Sequence, residues 1–397
     1  MAFQRKPSRE FVKMSHKIDI LVIGLEHVLP KVANWYAALE AENIHTVIYS
    51  LDQFGLTRKM RAKLGVRVFF VPEFLGVVSR WLVGIPFLIF LLCWFRPRHV
   101  EVYDPEIAGR FWSACIELLR RLRVKLVILN RGGAFGYDEQ SPQKKLWLAR
   151  LYHDARCVIY KELYMKALFI KAYGLEANKL ALVHNRVQVR AEPSVERSGK
   201  PIALYLNNFR RWKRPDLCVQ AAAWVCQQIP DAEFWLVGDI PNSELATDKH
   251  RDSVWSYFDR AELQAQAEAL GVGSQVKFFD FTDDPMQYYE QAWVFLFPSD
   301  LVFCNFSLLE AMERGVPAII SDVQDGEKIV DDGVAGFRTP QTSQAIAERA
   351  LELFGDEAKR RSMGFAARKK IIDDYNLSDM ARALAQIYWK HAWSRDA

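Results

Sequence analysis

Two stretches of the chain carry residues whose types and spacing could bind a phosphorylated nucleoside. The first is a basic turn, in which Arg210, Arg211 and Lys213 come just before a helix that opens with Pro215. Cations at a helix start oppose the helix dipole, so such a cluster requires a compensating anion, and a diphosphate would supply one. The alternative interpretation is a basic turn that is simply solvated.

The second stretch is residues 298–317, where an apolar run ends at Pro298 and a loop leads into another helix. Asn305 or Ser307 can cap this helix, and its first backbone amides favour an anion. Glu310 lies one turn further along, where its carboxylate could accept two hydrogen bonds from a ribose diol. Alternatively, Glu310 is an ordinary solvated helix glutamate.

Alternating strands and helices must position both stretches. Residues 293–297 and 316–320 are apolar runs on either side of the loop and helix, and this order predicts a βαβ unit of a parallel sheet. Residues 202–206 precede the basic turn in the same way. Open α/β sheets bind ligands in loops at the carboxyl ends of their strands, which is where both stretches fall.

Residues 298–317 resemble the donor-nucleotide region of the retaining GT-B glycosyltransferases of glycosyltransferase family 4. The family pattern is a Pro-Ser loop, a glutamate, seven residues, a second glutamate, then Ala-Met, Gly and Pro. Val302 stands at the first glutamate and departs from that pattern. The matching residues are Ser299, Glu310, Ala311, Met312, Gly315 and Pro317.

The basic turn resembles the family element Gly-Arg, four residues, Lys-Gly, in which the Arg and the Lys grip the donor diphosphate. Lys213 matches the Lys, whereas Asn208 occupies the Arg position. The resemblance implies catalytic roles for Lys213, Arg210 and Glu310. It implies donor contacts by Asn208, Arg211, Gly238, Asn305, Phe306 and Ser307.

The resemblance is looser in the first half of the chain. Its opening strand, loop and helix resemble the first unit of the family's acceptor domain, so Glu26 and His27 are acceptor-side candidates. Relatives often have His where this chain has Asn130, and Asn cannot act as a general base. Arg131 could hold an anionic or hydroxyl-rich acceptor, although a lone loop arginine is often only solvated.

The implied fold class is α/β, of GT-B type, with two Rossmann-like doubly wound domains that face each other across a cleft. We expect a basic tail over residues 1–17 and an acceptor-binding domain over 18–190. A linker over 191–200 then leads to a nucleotide-sugar-binding domain over 201–376. The final helix, 377–397, is expected to pack back on the first domain.

Composition excludes several other classes of protein. Half of the 397 residues are hydrophobic and a quarter are charged, which is typical of a globular protein. The six cysteines are scattered and show no Cys-x-x-Cys spacing, which indicates neither a disulfide framework nor a zinc site. The sequence lacks Asp-x-Asp, so no metal or other cofactor is expected. A basic amino terminus without an apolar signal segment predicts a cytoplasmic location.

Charge is unevenly divided along the chain. Residues 1–190 hold 30 Lys/Arg and 16 Asp/Glu, a net +14, whereas the remainder holds 23 and 32, a net −9. This division indicates an anionic partner for the first half. Because no nucleic-acid-binding motif accompanies the charge, an anionic membrane surface is the expected partner and nucleic acid is not.

Residues 74–95 are the most hydrophobic stretch of the sequence. The uninterrupted run 81–95 would form a helix of about 22 Å, too short for a hydrocarbon core of about 30 Å. Two interpretations remain open: a buried core helix, or an interfacial helix in the headgroup region. The interfacial helix would place the protein on the inner face of the cytoplasmic membrane.

These patterns together predict a retaining transferase that moves a hexose or deoxysugar from a nucleotide-sugar. The expected acceptor is a glycan or a lipid-linked glycan in bacterial-type surface polysaccharide, lipopolysaccharide or glycolipid synthesis. Asn208 and Val302, which replace an expected cation and an expected carboxylate, leave an alternative. In that alternative the chain is a catalytically silent GT-B subunit that binds a partner or a glycan.

Overall fold

The computed structural model describes residues 17–24, 30–51, 65–71, 77–131, 140–191, 197, 199–239, 256–282, 284–323 and 328–393. The chain divides into two compact units. The first takes in residues up to 160, then 168–181 and 381 onwards, and the second takes in 161–167 and 182–380. Apart from Lys17, the predicted basic tail lies outside the described residues.

The first unit is built on a seven-stranded sheet in the order β3-β2-β1-β4-β5-β6-β7. Neighbours from β3 to β6 pair in parallel. The central strands are buried at every position, so helices cover the sheet on both faces. The strands are β1 Ile20–Ile23, β2 Thr46–Ser50, β3 Arg67–Phe70, β4 His99–Tyr103, β5 Leu126–Asn130, β6 Cys157–Tyr160 and β7 Leu180–Leu182.

Helices alternate with these strands, as the predicted βαβ pattern requires. Short 3-10 turns at Glu40–Glu42 and Ala177–Lys179 complete two of the connections. The helices up to β7 are Pro30–Leu39, Val77–Ser79, Ile85–Phe95, Arg110–Arg121, Pro142–Asp154 and Leu163–Tyr173, with a π-helical segment at Arg80–Gly84.

The second unit has a six-stranded parallel sheet in the order β10-β9-β8-β11-β12-β13. Ala203 and Tyr205 of β8 pack into one hydrophobic cluster, while Leu204 between them packs into another. Because side chains alternate along a strand, these clusters lie on opposite faces of the sheet. The strands are β8 Ile202–Leu206, β9 Glu233–Asp239, β10 Val276–Asp280, β11 Val294–Phe297, β12 Ala318–Ser321 and β13 Gly336–Thr339.

Helices flank this sheet on both faces, and a 3-10 turn, Arg211–Lys213, carries the basic residues singled out in the sequence. The helices are Pro215–Cys226, Arg260–Ala269, Met286–Gln291, Phe306–Glu313, Ser343–Gly355 and Glu357–Asp374. The last helix of the chain, Leu377–Ile387, continues as a π-helical turn at Tyr388–Ala392.

Both sheets have the strand order of a Rossmann-like doubly wound fold. The order reverses beside the first strand of each sheet, between β1 and β4 in the first unit and between β8 and β11 in the second. The prediction of two Rossmann-like α/β units is therefore confirmed.

The C-terminal turn is fixed by side chains of the first unit. The Tyr388 hydroxyl donates to Glu101 at 2.7 Å, and Trp393 Nε1 donates to His99 Nδ1 at 2.9 Å. Both acceptors lie on β4 and are buried. This C-terminal turn is therefore part of the first unit's core.

The hydrophobic stretch forms a helix with one buried and one exposed face. Leu88, Leu91 and Phe95 are at most 4% exposed and face the core. The outer face shows a stripe at helical spacing, formed by Val78, Trp81, Leu82, Ile89, Phe90 and Trp94, each at least 40% exposed. The helix is therefore not wholly buried. Among the described helices, none combines the length and apolar character needed to cross a bilayer.

Candidate functional site

The switch point of the second unit brings together the two stretches singled out in the sequence. β8 and β11 are neighbours, so residues 207–214 and 298–305 leave the same edge of the sheet side by side. Two hydrogen bonds join them: the Asp300 amide and the Ser299 hydroxyl donate to the Trp212 carbonyl, at 2.8 and 3.2 Å. Ser299 thus holds the basic turn against the loop after β11.

Lys213 is buried at this junction, with 4% of the residue exposed. Its Nζ lies 3.9 Å from the ring centre of Trp212, 4.9 Å from that of Phe297 and 5.6 Å from that of Phe303. Tyr164 stacks on Phe303 with ring centres 5.6 Å apart. The aromatic faces attract the ammonium group and shield it from water.

This environment lowers the pKa of Lys213 to about 7. Burial is the main cause, Glu162 opposes the shift, and the charge of Arg210 adds to it. The lysine is therefore close to half-protonated at neutral pH, and an arriving anion would favour its charged form. The alternative of a solvated basic turn does not describe Lys213.

Glu162 is the residue of this site that the sequence analysis missed. It is 2% exposed, and its Oε2 accepts the Cys304 amide at 3.0 Å. Asn185 Nδ2 donates to the Cys304 carbonyl at 2.6 Å, so the loop after β11 is held from two sides. One signal was present: the charged pair Lys161-Glu162 directly follows the buried strand β6.

The two arginines of the basic turn have different surroundings. Arg210 Nε donates to the Tyr257 hydroxyl at 2.8 Å, and the charge of Arg210 reaches Lys213. Arg211 donates to both carboxylate oxygens of Glu262, at 3.1 and 3.0 Å. Arg210 therefore lies nearer the candidate anion site, whereas Arg211 is engaged with a neighbouring helix.

Asn208, at the family's Arg position, has a buried side-chain oxygen with no hydrogen-bond partner among the described residues. The Nδ2 of Asn207 is also buried and has no hydrogen-bond partner among the described residues. Gly238 adopts a φ of +126°, and a Cβ there would lie 2.3 Å from the Asn207 carbonyl oxygen. A glycine is thus required at position 238, because a side chain there would clash with the Asn207 backbone.

The helix Phe306–Glu313 begins as predicted. Asn305 caps it, since Asn305 Oδ1 accepts from the Ser307 amide at 2.9 Å and from the Ser307 hydroxyl at 2.8 Å. The Ser307 amide is therefore taken by the cap. Phe306 is half-buried and packs against the hydrophobic cluster around Phe295 and Phe297.

Glu310 is 4% exposed, so the alternative of a solvated helix glutamate is wrong. The Tyr289 hydroxyl donates to Glu310 Oε2 at 3.2 Å. Val302, at the family's other glutamate position, is 2% exposed and belongs to the hydrophobic core. The site therefore has one of the two glutamates of the family pattern.

On the acceptor side, Glu26 and His27 lie outside the described residues. Asn130 is fully buried at the end of β5, where its Nδ2 donates to Glu106 Oε1 and, at 3.2 Å, to the Tyr152 hydroxyl. These contacts give Asn130 a structural role in addition to any contact with an acceptor.

Arg131, another acceptor-side candidate, is not a solvated arginine. Its Nε and its amide donate to the two oxygens of Asp104, at 2.7 and 2.6 Å. Beside this pair, burial raises the pKa of Glu106 to about 8, and the negative charge of Asp104 adds to the shift. The carboxyl edge of the first sheet therefore carries a carboxyl group that is mostly protonated at pH 7.

Within the ranges that the structure describes, no group of His, Cys, Asp or Glu side chains is arranged to hold a metal ion. The six cysteines are free thiols, and all except Cys93 are buried.

Two Rossmann-like units, the second with a buried lysine and a buried glutamate at its switch point, define a protein of the GT-B class. Residues 189–370 match the family described as "Glycosyl transferases group 1". The resemblance to GT-B glycosyltransferases noted in the sequence is thereby confirmed.

The chain is similar to several curated and solved proteins. It is 25% identical over 218 residues to N-acetyl-alpha-D-glucosaminyl L-malate synthase of Bacillus anthracis, covering 55% of this chain and 52% of that protein. It is 23% identical over 250 residues to an Escherichia coli enzyme, UDP-Gal:alpha-D-GlcNAc-diphosphoundecaprenol alpha-1,3-galactosyltransferase, covering 60% and 58%. The alignments thus span little more than half the length of these relatives.

Among solved structures, the chain resembles Anabaena HepE, which was crystallised with UDP and glucose. The TM-score is 0.72 at 15% identity, and the match covers 94% of this chain and 100% of the other. A likeness at this identity establishes the fold.

Proposed function

We propose that this protein transfers a sugar from a nucleotide-sugar donor to a glycan or lipid-linked acceptor, with retention of anomeric configuration. The observation that carries the proposal is Lys213, a buried cation at the switch point of the family-matched unit. No metal or other cofactor is required in this proposal, because Lys213 and Arg210 supply the positive charge that a diphosphate needs.

The donor would lie along the loops after β8 and β11. Its diphosphate contacts Lys213 and Arg210, and the unpartnered oxygen of Asn208 receives a hydroxyl or amide donor. Its ribose contacts the buried carboxylate of Glu310, which also accepts from the Tyr289 hydroxyl. Preorganised charge and positioning then account for most of the catalysis.

In the reaction, the bond between the sugar's anomeric carbon and the diphosphate oxygen breaks. The acceptor hydroxyl oxygen forms the new bond on the same face, and its proton passes to the departing diphosphate. Lys213 stabilises the negative charge that develops on that diphosphate. Val302 lies in the hydrophobic core and cannot supply the polar donor contact of the family's glutamate, which favours a donor sugar that lacks the matching hydroxyl, such as a deoxysugar.

We place the acceptor on the cytoplasmic side of an anionic membrane, and two observations support a lipid-linked acceptor at a membrane surface. One relative is named as acting on a diphosphoundecaprenol-linked sugar. The first unit of this chain also exposes an apolar helix face, which includes Trp81, Phe90 and Trp94. Aromatic side chains and nearby arginines are typical of helices that lie in a membrane interface.

Nucleotide release from a panel of UDP-, GDP- and dTDP-sugars, measured with and without lipid-linked acceptors, tests the proposal. We expect release with one donor, an α-linked product from an α-linked donor by NMR, and a turnover about 10²–10³ lower in Lys213→Ala. Arg211→Ala is the control, because Glu262 engages that side chain, and its turnover should stay close to wild type. Nucleotide binding without turnover for every donor would favour the silent binding subunit instead.

A further inference from the structure

The first unit contains a cavity at the edge of its sheet opposite the acceptor-side residues. The cavity has a volume of about 870 Å³. Leu126, the first residue of β5, and Arg156, just before β6, line it. It therefore lies at the amino ends of these strands, whereas Asn130 and Tyr160 mark their carboxyl ends.

The lining of this cavity is strongly basic, with seven Lys or Arg residues and two carboxylates. Arg120 is neutralised by Glu117 and Asp154, at 2.9 and 2.8 Å. Most of the other cations have no ion pair within the part of the chain that the structure describes. These are Arg123, Lys125, Arg156, Lys179 and Lys390. Like charges held together without a counter-ion repel one another, so an anion in the cavity would be stabilising.

The basic groups are held on a rigid framework. The Arg156 amide donates to the Leu126 carbonyl at 2.8 Å, which joins the amino ends of β5 and β6. Lys390 lies on the C-terminal π-helical turn, which the Tyr388–Glu101 hydrogen bond fixes to β4. Because the backbone is fixed at these positions, the basic side chains stay close together whether or not a ligand is bound.

We propose that this cavity is a second anion site, which binds a ligand that carries two or more phosphate groups. Guanidinium groups hydrogen-bond phosphate oxygens through paired N–H donors, and the lysines add positive charge. The volume admits a molecule of the size of a sugar diphosphate or a phospholipid headgroup. The site is separate from the donor site, since it belongs to the other unit of the chain.

Calorimetry with inorganic pyrophosphate tests this site, in a Lys213→Ala background that weakens pyrophosphate binding at the donor site. The test variant is Arg123→Asn/Lys125→Gln/Lys390→Gln. All three positions are exposed, and Asn suits the positive φ of 55° at position 123. We expect pyrophosphate to bind and the variant to bind at least about 10²-fold more weakly, since three charge-assisted contacts are lost. The matched control, Lys277→Gln/Lys328→Gln/Arg361→Gln, removes three exposed cations of the second unit and should bind as the parent does.

His391, which also lines the cavity, provides a readout confined to it. Burial and the neighbouring charge of Lys390 lower the pKa of His391, and a bound phosphate would raise it. The imidazole NMR signal, identified with His391→Gln, is followed first with pyrophosphate and then with vesicles of phosphatidylcholine containing phosphatidylglycerol. A response to pyrophosphate indicates a soluble ligand, and a response to the anionic vesicles alone indicates a headgroup.

Loss of either response in the test variant, with retention in the control, establishes the site. The proposal is overturned if neither probe changes the His391 signal, or if test and control variants bind equally. These outcomes do not depend on glycosyl transfer, which the Lys213→Ala background impairs in every sample.

Discussion

At the scale of single residues, Lys213 links nucleotide binding to proton uptake. Its pKa is about 7 without a ligand, mainly because it is buried, and a diphosphate beside it would raise that pKa. At a pH between the pKa of Lys213 in the free protein and its pKa in the complex, the complex holds a proton that the free protein lacks. We therefore expect proton uptake when UDP, GDP or dTDP binds at pH 7.5, and an affinity that falls as the pH rises above 7.

Calorimetry in buffers of different ionisation enthalpy measures that uptake. In Lys213→Met the uptake should vanish, while Arg211→Ala should keep it because Glu262 engages Arg211. An observed binding enthalpy that is independent of the buffer in the wild type would show that Lys213 is not the diphosphate ligand.

Glu106 makes a second, independent prediction about pH. Burial raises its pKa in the folded protein to about 8, from an ordinary value of 4.5. The folded state therefore holds a proton that the unfolded chain releases between these values. As the pH rises from 4.5 to 8, Glu106 lowers the free energy of unfolding, by up to a few kcal/mol.

Glu106→Gln keeps an oxygen that can accept from Asn130 and removes the titration. The difference in unfolding free energy between Glu106→Gln and wild type should grow in favour of the variant from pH 5 to pH 8. Urea unfolding at several pH values measures it. A difference that stays constant over this range would show that Glu106 keeps its ordinary carboxyl pKa in the folded protein.

At the scale of elements, the sequence predicted those strands whose apolar runs end at a loop signal. β8 and the helix after Asn305 begin where expected, because local pattern and capping determine them. Glu162 could not be assigned to the site in this way, because it meets Cys304 across 142 positions of the chain. Only the folded chain brings Glu162 to the loop after β11.

The apolar helix shows the same limit. Composition identified residues 81–95 as an unusual helix. Because its residues are hydrophobic on all sides, the sequence did not show which side packs against the core. The structure separates Leu88, which is buried, from Phe90, which is 48% exposed. Which side of an apolar helix meets the core depends on its neighbours, here Tyr49 and Phe69, whose rings lie 5.8 Å from that of Phe87.

The burial of Leu88 and the exposure of Phe90 predict a large and a small effect, respectively, of an Asp substitution at these two positions. Leu88→Asp buries an unpaired charge and should destabilise the first unit by several kcal/mol. Phe90→Asp places the charge in water and should change the unfolding free energy by less than about 1 kcal/mol. Thermal and urea unfolding of both variants measures the contrast. Equal destabilisation would mean that the Phe90 face is covered by another part of the chain.

At the scale of the whole molecule, the division of charge and the apolar helix belong to the same half of the chain. Residues 1–190 carry a net +14, with 30 Lys/Arg against 16 Asp/Glu, and they include the exposed face with Trp81, Phe90 and Trp94. Basic residues near an anionic bilayer contribute about 1 kcal/mol each, and salt screens this attraction. Inserted aromatic side chains add an apolar contribution that salt does not remove.

We therefore expect vesicle binding that rises with the fraction of anionic lipid, falls partly in high salt, and keeps a salt-resistant part. Trp81→Ser/Phe90→Ser/Trp94→Ser should lose the salt-resistant part and keep the salt-sensitive part. The matched control is Phe281→Ser/Val334→Ser/Phe365→Ser, which removes three exposed apolar side chains of the second unit and should bind as wild type does. Flotation with liposomes, beside a thermal melt of each variant, measures the binding. Wild-type protein that fails to float with anionic vesicles even at low salt would rule out the membrane interface, and equal loss in both variants would mean that the helix face is not the contact.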